Sequence, residues 1–305
     1  MTDSLTTRAD KDTPSMSKSM EDPAFTNFKL LFTKRLEAFR NDSDASAELE
    51  AYAQRDNTYE YRILKGLVPQ NLIGKLMPGE HAIWQKSDTF FTDFTDNHPD
   101  QVLSDTHENL LIIGNSASHD IRQYLAKWEL DGKDRTPSAG MSYMHILIIP
   151  KRRVYNAVTL EDTTLIQEMV SSFHEFWRSP ESIEIIIRWM KTAVEKRTTI
   201  LRQSLEIHSP HLLDEFEAVM DEVSASTEEF EAELRHCHGS VLPNDDLLFF
   251  GFHPAPDASI AHLHMHVLLA PARFRKFSTD AHDWKTVPAQ AIIEVFEEYT
   301  SRKLS

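Results

Sequence analysis

A chain of 305 residues with 41% hydrophobic side chains can bury one large core or two modest ones. A mean hydropathy of −0.42, with no apolar run near the roughly 18–20 residues of a span, argues against a transmembrane helix, and the N-terminus lacks a signal-peptide core. A net charge of −16 disfavours broad nucleic-acid binding, and the single cysteine, Cys237, excludes an intrachain disulfide and a multi-cysteine zinc site. These features lead us to expect a soluble intracellular protein, cytoplasmic or nuclear, without a membrane partner.

Residues 1–24 are polar and rich in Ser, Thr, Asp and Lys, and read as a disordered tail. Residues 25–100 read as a mostly helical N-terminal extension, with Phe28, Leu31, Phe32 and Leu36 at helical spacing. Asn109–Gly114 reads as a short buried strand, and Met141–Pro150 as a second one ended by proline. Helices are expected over about 159–238. Thr159 with Asp162 resembles a capping box, and Ser179-Pro180 and Ser209-Pro210 resemble N-caps followed by proline. The stretch Asn156–Cys237 holds 17 acidic and 7 basic residues, so much of the negative charge sits on these helices. Asp246–Phe252 is the third expected strand. Pro288, with Ile292, Ile293 and Phe296, suggests a closing helix. Early and late strands around a helical stretch fit an α+β fold with an antiparallel sheet.

His262-Leu263-His264-Met265-His266-Val267-Leu268-Leu269 is the most informative segment. Strict alternation predicts a half-buried strand, with the imidazoles on one face and Leu263, Met265 and Val267 on the other. A neutral imidazole in the middle of such a row can serve as a nucleophile, with its neighbours orienting it or holding phosphate oxygens. A metal site and a purely structural row are the competing readings. On a straight strand, adjacent histidines lie about 6.5–7 Å apart and the outer pair about 13 Å apart. Two can then share an ion, and a complete zinc site needs a ligand from elsewhere. The basic groups Lys151-Arg152-Arg153 and Arg273, Arg275 and Lys276 read either as solvated loop charge or as phosphate contacts.

The row resembles the signature of the histidine triad superfamily. Met144-His145-Ile-Leu-Ile-Ile-Pro150-Lys151 looks like that family's earlier strand. Gly251-Phe252-His253, Pro256 and Ser259 are similar to the aprataxin-like branch and the related scavenger decapping C-terminal domain. The resemblance covers about 107–155 and 240–300. It implies a triad-type sheet within a domain over 101–305, carrying a large helical insertion at about 159–238.

It further implies that His264 attacks an α-phosphorus to give a nucleotidyl-histidine, supported by His262 and His266. Ser259, His253, His145 and Lys151 would then contact the substrate. The implied activity is hydrolysis or nucleotidyl transfer on a phosphoramidate, dinucleoside polyphosphate or cap-like substrate. No metal or other cofactor is expected, the partner is a phosphorylated small molecule, and a homodimer is compatible with the family pattern. Two further readings stand beside it: the same chemistry on a phosphorylated non-nucleotide metabolite, and a non-catalytic binding or scaffold protein.

Overall fold

A computed structural model of the protein describes residues 23–55, 89–239 and 247–304. Six strands form one antiparallel sheet: β1 (Val102–Ser104), β2 (Leu110–Gly114), β3 (His145–Pro150), β4 (Leu248–Phe252), β5 (Met265–Leu269) and β6 (Val287–Pro288). Their spatial order is β1-β2-β3-β5-β4-β6. The expected α+β class with an antiparallel sheet is therefore present. β1 and β6, of three and two residues, lack any legible alternation.

Alternation along the strands divides the sheet into two faces. Leu110, Ile112, Ile146, Ile148, Met265, Val267 and Leu269 enter the main core. Leu111, Ile113, Leu147 and Ile149 enter a smaller cluster that includes Phe91 and Phe94. Register places Leu147 and Gly251 on either side of His266. Directly opposed residues share a face, so His266 lies on the side of the smaller cluster, and glycine at 251 puts no side chain beside it.

The main core is covered by helices. α1 (Pro23–Arg40) buries Phe25, Phe32 and Leu36, and α4 (Thr164–Arg178) buries Leu165, Ile166, Met169, Phe173 and Trp177. α7 (Ala289–Leu304) lies beside α1, where Lys29 pairs with Glu294 at 2.9 Å and Glu298 at 2.6 Å. α1 thus contributes to the same core as the sheet. α2 (Ala45–Ala53) and the single turn α3 (Phe94–Asn97) complete the described N-terminal part. Of the tail expected over 1–24, only Pro23 and Ala24 lie within the described residues, and they open α1.

Between β3 and β4 run α4, α5 (Ser182–His208) and α6 (Leu213–Gly239). The distal halves of α5 and α6 share a second core of Val194, Leu201, Leu205, Phe216, Met220 and Val223, closed by Trp128. Polar contacts tie this pair to the rest of the domain, among them Arg122 to Ser226 Oγ at 2.6 Å, Gln123 Nε2 to the Val194 carbonyl at 3.0 Å, and Trp189 Nε1 to the Asn115 carbonyl at 3.1 Å. The Trp189 ring lies over Gly114, where a Cβ would come within 2.0 Å of it. Gly114→Ala should therefore displace Trp189 and lower stability by about 1–3 kcal/mol, read as a drop in denaturation midpoint.

Several expected boundaries shift. α4 starts at Thr164, not near Thr159: the Thr159 hydroxyl donates to the Asn156 carbonyl at 2.7 Å, and Asp162 accepts from the Thr164 N–H at 2.9 Å. α5 starts two residues after Pro180, and Ser179 Oγ accepts from the Glu181 N–H at 3.3 Å. Pro288 ends β6 rather than opening the last helix. β3 starts at His145, since Met141–Met144 bend away to bond elsewhere: the Tyr143 N–H donates to the Phe274 carbonyl at 2.9 Å. Asp246 lies outside the described residues. No described helix is long and apolar enough to cross a membrane.

Candidate active site

β5 begins at Met265, so the expected strand His262–Leu269 is shorter by three residues. Pro150, at the end of β3, has no N–H to extend the ladder. Its carbonyl accepts instead from Nε2 of His262 at 2.9 Å. Alternation of side chains nevertheless continues upstream of the ladder. Leu263 enters the main core, while His262 and His264 both lie against Phe91, with ring centroids 6.1 and 5.1 Å away.

His264, His266, His253 and His145 form one buried group. Ring centroids separate His264 from His266 by 5.0 Å, His253 from His266 by 4.2 Å and His145 from His266 by 5.2 Å. Burial pushes His262 and His264 down to about 4 and His145 to about 3. It also drives His266 well below the ordinary histidine range. These imidazoles are neutral at pH 7. The Lys285 ammonium, itself held 3.0 Å from the Asp257 carbonyl, further lowers His253, His264 and His282.

Hydrogen bonding assigns the tautomers. Nδ1 of His264 lies 2.7 Å from the His262 carbonyl, which can only accept, so the proton is on Nδ1 and the lone pair on Nε2. Nδ1 of His145 faces two donors, the Met141 N–H at 3.3 Å and the Asn115 amide nitrogen at 2.9 Å. The Asn115 oxygen is oriented by the Ala117 N–H at 3.0 Å. His145 therefore carries its proton on Nε2 and donates it to Nδ1 of His266 at 2.9 Å. His266 is left with its proton on Nε2, a buried donor without a partner. Thr286 Oγ1 donates to the His282 carbonyl at 2.7 Å, so it must accept from Nε2 of His253 at 3.0 Å. The lone pair of His253 is then on Nδ1.

His264 and His266 open onto a cleft of about 320 Å³. Its apolar wall is Phe90, Phe91, Ile113, Leu147 and Ile260, and its polar side is Gln101, Asn115, Ser116 and Ser259. Ser259 lines this cleft. His262 does not line the cleft: its Nε2 donates to the Pro150 carbonyl and its own carbonyl accepts from Nδ1 of His264. Lys151 is not at the site: it is exposed, pairs with Asp105 at 2.6 Å and donates to the His107 carbonyl at 2.8 Å. Larger cavities elsewhere, such as one of about 640 Å³ beside Arg152 and Glu161, contain none of the clustered histidines.

Sequence reasoning missed Phe90 and Phe91, Asn115, Thr286 and Lys285. Phe90-Phe91 is a visible aromatic pair before Phe94, but its place over the histidines depends on a long-range fold. Asn115 directly follows β2, and only the pairing of β2 with β3 brings it to His145. His253, directly after β4, also changes the geometry weighed for a metal, because the ligand from elsewhere is present: one ring nitrogen each of His253, His264 and His266 lies within 4.8 Å of the other two. Compared with protein-family models, curated proteins and solved structures, the chain matches none of them.

Proposed function

We propose that the protein is a nucleotide hydrolase or nucleotidyl transferase of histidine triad type, with His264 as the nucleophile. The observation that carries this reading is the fixed tautomer of His264. Its Nδ1–H is held by the His262 carbonyl, and its Nε2 lone pair is free at a cleft with an aromatic wall. A nucleophilic imidazole needs that state, and burial supplies it at neutral pH.

In this reading Nε2 of His264 attacks the α-phosphorus, and the bond from phosphorus to the leaving group breaks with its electron pair on the departing phosphate, or on a departing amine that takes a proton from solvent. The partnerless N–H of His266 hydrogen-bonds a phosphoryl oxygen as charge builds there, the use to which a preorganised donor is best put. Water or an acceptor hydroxyl then attacks phosphorus and releases its proton to solvent, the P–N bond breaks, and its electron pair returns to His264. Lys285 adds a positive field on the same side. The aromatic wall of Phe90 and Phe91, whose rings stand edge-to-face, offers a ring for a base to pack on, and the cleft volume falls within the roughly 300–1,000 Å³ of small-molecule sites. The helices between β3 and β4 stand, on this reading, as an insertion that braces Asn115 through Trp189.

Incubation with adenosine phosphoramidate, a dinucleoside polyphosphate, a cap analogue and a panel of phosphorylated sugars tests the substrate class. Nucleoside monophosphate release is the expected result. Turnover of a sugar phosphate with silence on every nucleotide would move the same chemistry to a non-nucleotide metabolite. Phe90→Ala should raise KM for the nucleotide about ten-fold with a smaller change in kcat, since base–aromatic contacts are worth roughly 1–3 kcal/mol.

A further inference from the structure

We propose that His253, His264 and His266 form a binding site for a borderline transition-metal dication of the Zn2+ class, and that the bound ion blocks nucleotidyl transfer. The blocking half rests on the function proposed above; the binding half does not. One nitrogen from each ring lies within 4.8 Å of the other two, and all three residues are buried. The ring nitrogens not engaged elsewhere are Nδ1 of His253, Nε2 of His264 and Nε2 of His266. Nε2 of His266 is sealed from solvent with no partner.

The outer contacts are those a metal-binding histidine requires. Such residues donate the other ring N–H to an oxygen, which fixes the ring and raises its basicity. His253 does so to Thr286 and His264 to the His262 carbonyl. His266 is the ligand that must adjust. To bind through Nε2 it has to carry its proton on Nδ1, which reverses His145 and requires the Asn115 amide to turn its oxygen inward. The long 3.3 Å contact from Met141 and the 3.0 Å bond from the Ala117 N–H to the Asn115 oxygen are both lost in that state.

The donor set names the metal class. Three neutral imidazoles, with no carboxylate or thiolate among them, suit Zn2+, Co2+, Ni2+ or Cu2+ and not Mg2+ or Ca2+, which take oxygen ligands. Three protein ligands leave a fourth position for water facing the cleft. An ion there takes the only lone pair of His264, so metal and nucleotidyl intermediate exclude each other.

Zn2+ titration of the full chain by calorimetry, with Co2+ as a visible-band reporter and Mg2+ as control, tests the site. One tightly bound Zn2+ per chain is expected, with competitive inhibition of turnover. Loss of an outer-shell partner costs roughly 10–100-fold in affinity, so His253→Ala and His264→Ala, checked for folding by circular dichroism, should lose at least about a hundred-fold. His236→Ala, an exposed histidine at the end of α6, should change nothing. Asn115→Asp, which offers His145 an acceptor, should tighten binding about ten-fold.

Absence of tight Zn2+ binding, equal affinity in His253→Ala, or no gain in Asn115→Asp would overturn the three-histidine site. Turnover that persists with the ion bound would overturn the exclusion. If nucleotides are not turned over yet Zn2+ binding depends on His253 and His264, the metal site stands and the nucleotide reading alone fails.

Discussion

His264→Ala should abolish turnover and leave the fold standing. Removing a nucleophile that acts as a unit with its neighbours costs at least about 10⁴-fold in kcat, because the remaining groups bind but offer no covalent route. The structural cost is limited. His264 gives up one hydrogen bond to the His262 carbonyl and its contact with Phe91, while His262 keeps its own bond to Pro150. Product release measured beside a thermal melt separates the two effects. A variant that melts near wild type and releases no product meets the expectation, whereas full turnover removes His264 from the chemistry.

Acidification should unfold the protein before its carboxylates titrate. Seven buried histidines among the described residues, His98, His119, His145, His253, His262, His264 and His266, are all held below the ordinary value of 6.5, chiefly by burial. In the unfolded chain each takes a proton near pH 6.5, while the native state resists protonation below that, down to about 4 for His119, His262 and His264 and about 3 for His145. The unfolded state thus binds more protons throughout that window. The stability these groups confer is complete above about pH 6.5 and is lost as pH falls toward 4, at up to about 1 kcal/mol per pH unit for each histidine.

A melting temperature that drops steeply between pH 7 and 5 is the expected profile, and a flat one contradicts it. His119 isolates one contribution. It lies outside the cleft, packs between Tyr143 and Phe230, and neither of its ring nitrogens has a partner. His119→Leu should make the acid slope shallower by about one proton without changing turnover at pH 7.

Much of the sheet was legible because its signal is local. The alternation at 262–269 marks a strand whose two faces differ, and Leu263, Met265 and Val267 do enter the main core. The apolar runs at 109–114 and 141–150 likewise identify β2 and, apart from the first four residues of the second run, β3. Ladder ends are not local: Pro150 stops the pairing from a neighbouring strand and leaves His262 and His264 outside β5. The same limit explains Lys151, which sits next to a strand of the site in sequence yet faces Asp105 in space.

Local patterns also suggested caps that tertiary context reassigned, as when Thr159 turned its hydroxyl to Asn156. The candidate site was legible as a list of residue types but not as a hydrogen-bond order. Its tautomers are set by the Met141 N–H, the Asn115 amide and the Thr286 hydroxyl, three groups with no histidine-like signature. Phe90 and Phe91 reach the cleft only because the segment before β1 folds over the face bearing His266, a long-range contact that no spacing rule encodes.

The covalent intermediate is the central claim, and peptide-mapping mass spectrometry of enzyme quenched during turnover tests it most directly. A single nucleotidyl adduct on the peptide carrying His264, gained with substrate, lost with time and absent from His264→Ala, is the predicted result. Product release by wild type with no adduct on that peptide, together with undiminished turnover by His264→Ala, would contradict the account.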